Sequence, residues 1–270
     1  LIHRGSIKRA ALVAVILGLA GCATETATPT LTSQAASEIA ALAERDRRLT
    51  SLQSSAIMEY TAPNGHLKAR ERITIRRPAS LRVEALSPLG VALVVAADAN
   101  QVAIYDPSRD TIARGAATAD TLNRVAQIPL APEPAVRLLL GLPPTDLLTS
   151  GSAVPTTTDN GMSQLSYTHP DGTVDRIAFD NGNLAQVSET AASGKLVYGV
   201  SYSDYRDIGG LQFAHTIEAS FPGTATSINL RYEDPAIDNI IPDSTFVLSP
   251  GPQTRELRLG LNFGPDLPQG

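Results

Sequence analysis

The chain of 270 residues has no tryptophan, a single cysteine and only 4% aromatic residues. With so few rings, any core must be assembled from Ala, Val, Leu and Ile. One cysteine rules out a disulfide framework and a thiolate metal site. Positive charge is also short. The 22 Lys and Arg face 27 Asp and Glu, and three of the bases (Arg4, Lys8, Arg9) precede Cys22 with no acid among them. From Cys22 onward, 22 less 3 leaves 19 bases against 27 acids, a balance that disfavours binding nucleic acid or anionic lipid through charge. Reaction signatures are missing as well. There is no GxSxG elbow, P-loop or GxGxxG, and His66, His169 and His215 lack the spacing of a metal site. His66 and His169 border turns and are expected in solvent, whereas His215 is expected hydrogen-bonded in the core. Asp204, Asp207, Glu233 and Asp234 are the remaining carboxylates that could pair, and Asp180-Asn181-Gly182-Asn183 reads as a hairpin turn rather than a calcium loop. The expectation is a protein that is not an enzyme and uses no cofactor or metal.

What is present begins with Leu19-Ala20-Gly21-Cys22, behind a basic stretch and an apolar run from Ala10 to Ala20. That run has signal-peptide length and falls short of the ~20 residues of a membrane span. Small residues before a lone cysteine resemble the lipobox of bacterial lipoproteins. An uncleaved anchor or an ordinary secretory signal with a chance cysteine are the other readings. The resemblance implies a signal peptide over 1–21, lipidation at Cys22 and a lipidated flexible tether over 22–32, rich in Thr and Pro. Two or three acyl chains, at ~0.8 kcal/mol per buried CH₂, would hold the protein at a membrane durably. Ala23 stands where an Asp is commonly described as favouring the inner membrane, so the expected place is the periplasmic face of the outer membrane.

From Ser33 to Leu49 the pattern is helical, with Ile39, Leu42 and Leu49 able to share a face opposite Glu38, Glu44, Arg45 and Arg48. Past Leu52 the period becomes two, punctuated by Gly, Pro and Asn. Strands are expected over Ile57 to Ala62, Leu67 to Arg76 (rich in exposed charge), Leu81 to Ala85, Val91 to Ala97 (covered on both faces), Gln101 to Tyr105 and Thr111 to Ala113. Alternation lapses near 116–148. Thr118 or Asp120 can cap a short helix there, Pro132 and Pro134 suit a first helical turn, and Gly141 stops Leu138-Leu139-Leu140. Strands resume over Met162 to Thr168, Val174 to Phe179 and Leu184 to Thr190. Further runs follow through Leu196 to Tyr202, Leu211 to Ile217 and Ile228 to Tyr232. The expected fold is mainly β with a helical lid (α+β). It is a single strongly curved antiparallel sheet of about eleven strands, an incomplete barrel crossed by short helices over residues 33–250, with 251–270 as a tail.

Two stretches carry a family resemblance. Ala85-Leu86-Ser87-Pro88-Leu89-Gly90 joins two strands, and Arg137-Leu138-Leu139-Leu140-Gly141-Leu142-Pro143 closes the helical insertion. In that order and spacing, behind a lipobox, they resemble LolB, the outer-membrane lipoprotein that receives other lipoproteins from a periplasmic carrier. Ile241 to Leu248 resembles the last strand of the related LolA family. The resemblance implies an apolar cavity for the acyl chains of client lipoproteins, a periplasmic LolA-like carrier as partner, and a monomer held by its lipid anchor. It also implies a membrane-inserting loop at Pro88, Leu89 and Gly90, with Leu138, Leu139, Leu140 and Leu142 in the lid and cavity wall. Read without the family, Leu89 would fold back onto the sheet edge, and Leu140 to Pro143 would be a helix stop. The missing tryptophans, usual in LolB, and the long strands from Tyr198 to Phe221 suit a second reading: an assembly lipoprotein that uses the same fold to bind an envelope protein. General lipid or glycolipid carriage is a third.

Overall fold

The computed structural model describes residues 33–144, 153–158, 160–249 and 251–259. Cys22, the 1–21 segment and the 22–32 tether lie outside the described residues. Helix α1 (Ser33–Arg48) precedes six strands that run in order through the chain: β1 (Ser51–Ala62), β2 (Gly65–Arg76), β3 (Ser80–Ser87), β4 (Gly90–Ala97), β5 (Gln101–Asp106) and β6 (Thr111–Ala116). Helices α2 (Ala119–Ala126) and α3 (Pro132–Leu139) follow. A second series is formed by β7 (Val154–Thr157), β8 (Ser163–Thr168), β9 (Val174–Asp180), β10 (Asn183–Thr190), β11 (Leu196–Ile208), β12 (Leu211–Phe221) and β13 (Thr226–Tyr232). Two short strands end it, β14 (Ala236–Ile237) and β15 (Arg255–Arg258). All fifteen belong to one sheet that is not closed into a barrel, in the order β15-β6-β5-β4-β3-β2-β1-β13-β12-β11-β10-β9-β8-β7, with β14 on β1. The expected class and lid are therefore present, and the strands beyond the expected eleven include the short β7, β14 and β15.

This order explains the lid. Two runs of hairpins meet where β1 pairs β13, leaving β6 beside one edge and β7 at the other. The chain between β6 and β7 must therefore cross the sheet, and α2 and α3 lie on that crossing. Their ends follow local rules. Thr118 Oγ1 accepts the Thr121 amide at 3.2 Å, Pro132 occupies the first turn of α3, and Gly141 at φ +68° lets the chain leave the helix.

Four expectations need correction. In α1 the buried stripe is Ala35, Glu38, Leu42 and Arg45, so Glu38 and Arg45 face inward rather than outward. Each finds partners that make this possible. Glu38 accepts from Ser163 Oγ at 2.7 Å and Gln34 Nε2 at 3.1 Å, and Arg45 donates to the Gln212 carbonyl and sits over the Tyr205 ring. Ile241 to Leu248 is not a strand: residues Asp243–Phe246 form a 3₁₀ turn. Pro242 has no amide to give a ladder, and three arginines bind this segment's carbonyls instead: Arg76 to Ile241 (2.6 Å), Arg82 to Thr245 (3.1 Å) and Arg114 to Leu248 (2.7 Å). The part of the expected tail over Arg255–Arg258 is a strand, and it pairs parallel to β6, so the sheet is not wholly antiparallel. Finally, β4 is covered from Val94 to Ala97 while Val91 and Ala92 stay exposed.

Candidate functional site

One face of the sheet carries the helices, and strand alternation sends the aliphatic side chains there. On β1 that face bears Leu52, Ala56, Met58 and Tyr60. On β2 it bears Ala69, Glu71, Ile73 and Ile75, and on β3 it bears Leu81, Val83 and Ala85. The core joins Leu42 and Leu49 from α1 and its end, Val136 and Leu138 from α3, and Leu140 and Leu142 beyond it, to Leu52, Ile75, Val187, Val200 and Leu230 of the sheet. Leu140 and Leu142 are fully buried, Leu138 nearly so and Leu139 partly. The four lid leucines named from the sequence thus lie together in or against this core.

Two tyrosines fasten the lid. Tyr202 Oη donates to the Leu138 carbonyl at 3.0 Å and Tyr232 Oη to the Leu139 carbonyl at 2.9 Å. Burial pushes both phenols far above their usual range, so they remain donors at any ordinary pH. Tyr60 Oη similarly reaches the Ala126 carbonyl at the end of α2 (2.9 Å). Arg137 donates to the Pro143 carbonyl (2.7 Å) and to Asp46 of α1 (2.6 Å), which also pairs with Arg77 (3.1 Å). The lid is closed on its own leucines and held at its carbonyl end.

Away from the helices the same face becomes half-exposed. Met58, Ala69, Val83, Ala85, Leu93 and Val95 form an apolar strip across β1 to β4. It leads towards the β3–β4 hairpin, where Leu86 pairs Val91 and the turn carries Pro88, Leu89 and Gly90. Gly90 has φ +119°, a conformation closed to other side chains, and the tight turn leaves Leu89 100% exposed with nothing to pack against. Leu89 does not fold back onto the sheet. Val91, at 36% exposure, extends the apolar tip.

The strand over Leu67 to Arg76 is expected to be rich in exposed charge. Lys68, Arg70 and Arg72 are exposed, but Glu71 is in phase with Ala69, Ile73 and Ile75 and is fully buried. Neither of its carboxyl oxygens has a hydrogen-bond partner, and burial pushes it up to about 7. The signal was present in the sequence: the period-two run Leu67, Ala69, Glu71, Ile73, Ile75 contains one acid on its apolar side.

The other polar candidates scatter. His169 pairs with Asp175 at 2.6 Å, His215 is buried with Nδ1 3.2 Å from the Phe213 carbonyl, and His66 meets Thr61 on the surface. Asp204 pairs with Arg206, Asp207 accepts the Gly210 amide, and Glu233 pairs with Arg70. No cluster of three His, Cys, Asp or Glu among the described residues could hold a metal. No described helix is long and apolar enough to cross a membrane. A groove of about 690 Å³ opens on the opposite face of the sheet, where Glu59, Gln186, Glu218 and Asn229 stand among Leu196, Val200 and Ile228.

No protein-family model matches the chain, and no curated protein matches it. Among solved structures it is similar to a DUF1329 family protein from Desulfovibrio piger, with a TM-score of 0.51 and 12% identity over 80% of this chain and 98% of that one. It is also similar to a LolA superfamily protein from Nitrosomonas europaea, with a TM-score of 0.50 and 15% identity over 77% of this chain and 96% of that one. At such identity the likeness is one of fold.

Proposed function

We propose that this protein is a lipid-anchored acyl-chain carrier of the LolB-like kind. Its lid face takes the acyl chains of client lipoproteins, and it helps to insert them into the outer membrane. Cys22 carries the anchor in this reading, a LolA-like carrier delivers the client, and no catalysis is involved. The observation that supports it best is the apolar tip. A wholly exposed leucine is held out by a Pro-Leu-Gly turn, and the half-exposed strip on the lid face runs towards it. A leucine entering the acyl region gains roughly 1.5–3 kcal/mol, enough to favour docking of the tip without holding it there. The shared LolA-type fold is consistent with this use.

The test is transfer of a fluorescent diacylated lipopeptide from the purified full chain to phosphatidylethanolamine vesicles. Leu89→Glu should keep stability within about 0.5 kcal/mol of the parent, since the side chain touches nothing. It should also keep lipopeptide binding, while transfer falls at least about tenfold. Transfer at the parent rate would remove the role given to the tip.

A second reading is favoured by a different observation: Leu138, Leu140 and Leu142 fill the interior and are fastened there by Tyr202 and Tyr232. An interior occupied by the protein's own lid suits an assembly lipoprotein that binds an envelope protein. A parent chain that takes up no lipopeptide at all would favour it.

A further inference from the structure

We propose that Glu71 anchors the carbonyl-bearing head of an acylated ligand, at the neck where the covered interior meets the half-exposed apolar strip. The inference deepens the acyl-carrier reading and rests on it.

The position is unusual on three counts. Glu71 has no exposed surface, and both carboxyl oxygens are without partners, whereas buried polar groups in folded proteins are almost always paired. Its cross-strand neighbours are Ala56 on β1 and Ala85 on β3, short side chains that offer no hydrogen bond and take little room. Along β2 it is the dividing point. Ile73 and Ile75 on one side are buried in the core, while Ala69 and its partner Met58 on the other are half-exposed and lead towards the Leu89 tip. Such a group is costly to stability, and departures of this kind concentrate at functional sites.

The chemistry selects the ligand class. A carboxyl in an apolar surrounding with no cation beside it is held neutral more readily than in water, and burial raising it to about 7 agrees with this. A neutral carboxyl offers one O–H donor and one carbonyl acceptor. The matching head is an ester, amide or carboxylic acid, whose carbonyl accepts the O–H; a hydroxyl or amide N–H on the same head can donate in return. Hydrocarbon or ether chains lack that strong acceptor. With the head at Glu71, chains would lie along the half-exposed strip of Met58, Ala69, Val83 and Leu93 that leads towards the Leu89 tip.

The test compares dipalmitoylglycerol with its ether counterpart dihexadecylglycerol, which has the same chains and the same free hydroxyl but no carbonyl. Binding to the purified full chain is read by native mass spectrometry. The parent should hold the ester roughly three- to tenfold more tightly than the ether, the value of one net hydrogen bond. Glu71→Leu should erase that preference, and Glu71→Gln, which still donates and accepts, should keep most of it. Equal affinity for the two lipids in the parent, or a preference that survives Glu71→Leu, overturns the anchor and leaves acyl binding standing. Failure of both lipids to bind the parent overturns the acyl-carrier reading and the anchor with it.

Discussion

Removing the hydroxyl of Tyr232 should cost more than removing that of Tyr202, although the two bonds are of nearly equal length. The reason lies in what each leaves behind. The Leu138 carbonyl also accepts the Gly141 amide at 3.0 Å, so Tyr202→Phe leaves it with a partner. The Leu139 carbonyl would look four residues ahead for its helical donor, and that residue is Pro143, which has no N–H. Tyr232 Oη is therefore its replacement donor, and Tyr232→Phe strands a carbonyl at the edge of the core. A hydrogen bond lost without an orphan is worth about 1 kcal/mol, and a stranded buried carbonyl costs about 1–3. The expected losses are thus about 1 kcal/mol for Tyr202→Phe and about 2 for Tyr232→Phe. Urea unfolding followed by far-ultraviolet circular dichroism measures both. Amide hydrogen exchange over residues 132–142 locates the effect: Tyr232→Phe should speed exchange at the end of α3 while β1 to β4 stay protected. A larger loss for Tyr202→Phe, or unchanged exchange in α3 with Tyr232→Phe, would refute the account of the lid fastening.

Stability should fall as pH rises from about 4.5 to 7. Glu71 binds its proton more tightly folded, at about 7, than unfolded, near 4.5, so its contribution is complete below 4.5 and lost through 7. At about 1.4 kcal/mol per unit the whole loss is roughly 3.5 kcal/mol, and urea midpoints at pH 5 and pH 8 should converge in Glu71→Gln relative to the parent. Persistence of the full slope in that variant would show that another group causes it. Arg137→Met removes the bonds to the Pro143 carbonyl and to Asp46, and should cost roughly 2–3 kcal/mol in the same urea assay. A loss under 0.5 kcal/mol would mean that Arg77 alone secures Asp46.

Much of the fold was legible because its signals are local. Alternation over Leu81 to Ala85, the Asp-Asn-Gly turn before β10, Pro132 at a helix start and Gly141 at a helix stop each act through their immediate neighbours. The misreadings involve groups whose fate depends on distant partners. Glu38 and Arg45 look like a solvated helix face until Ser163 and Gln212, far along the chain, supply their bonds. Ile241 to Leu248 resembles the last strand of the LolA family, yet its carbonyls are taken by Arg76, Arg82 and Arg114 from three different strands.

The candidate site divides in the same way. Sequence patterning alone determined the tight turn at Pro88 to Gly90, the leucine run stopped at Gly141 and the period-two aliphatic faces, because turn geometry and alternation need no long-range information, whereas the projection of Leu89 was an expectation of the family resemblance that the folded hairpin decides. Only the tertiary structure decided that the lid is seated on the sheet, which tyrosines fasten it, and that Glu71 is buried with no partner. Those outcomes depend on which strands become neighbours. Here the joining of β1 to β13 sends the β6–β7 connection across the sheet and brings Tyr202 and Tyr232 to the carbonyls of α3.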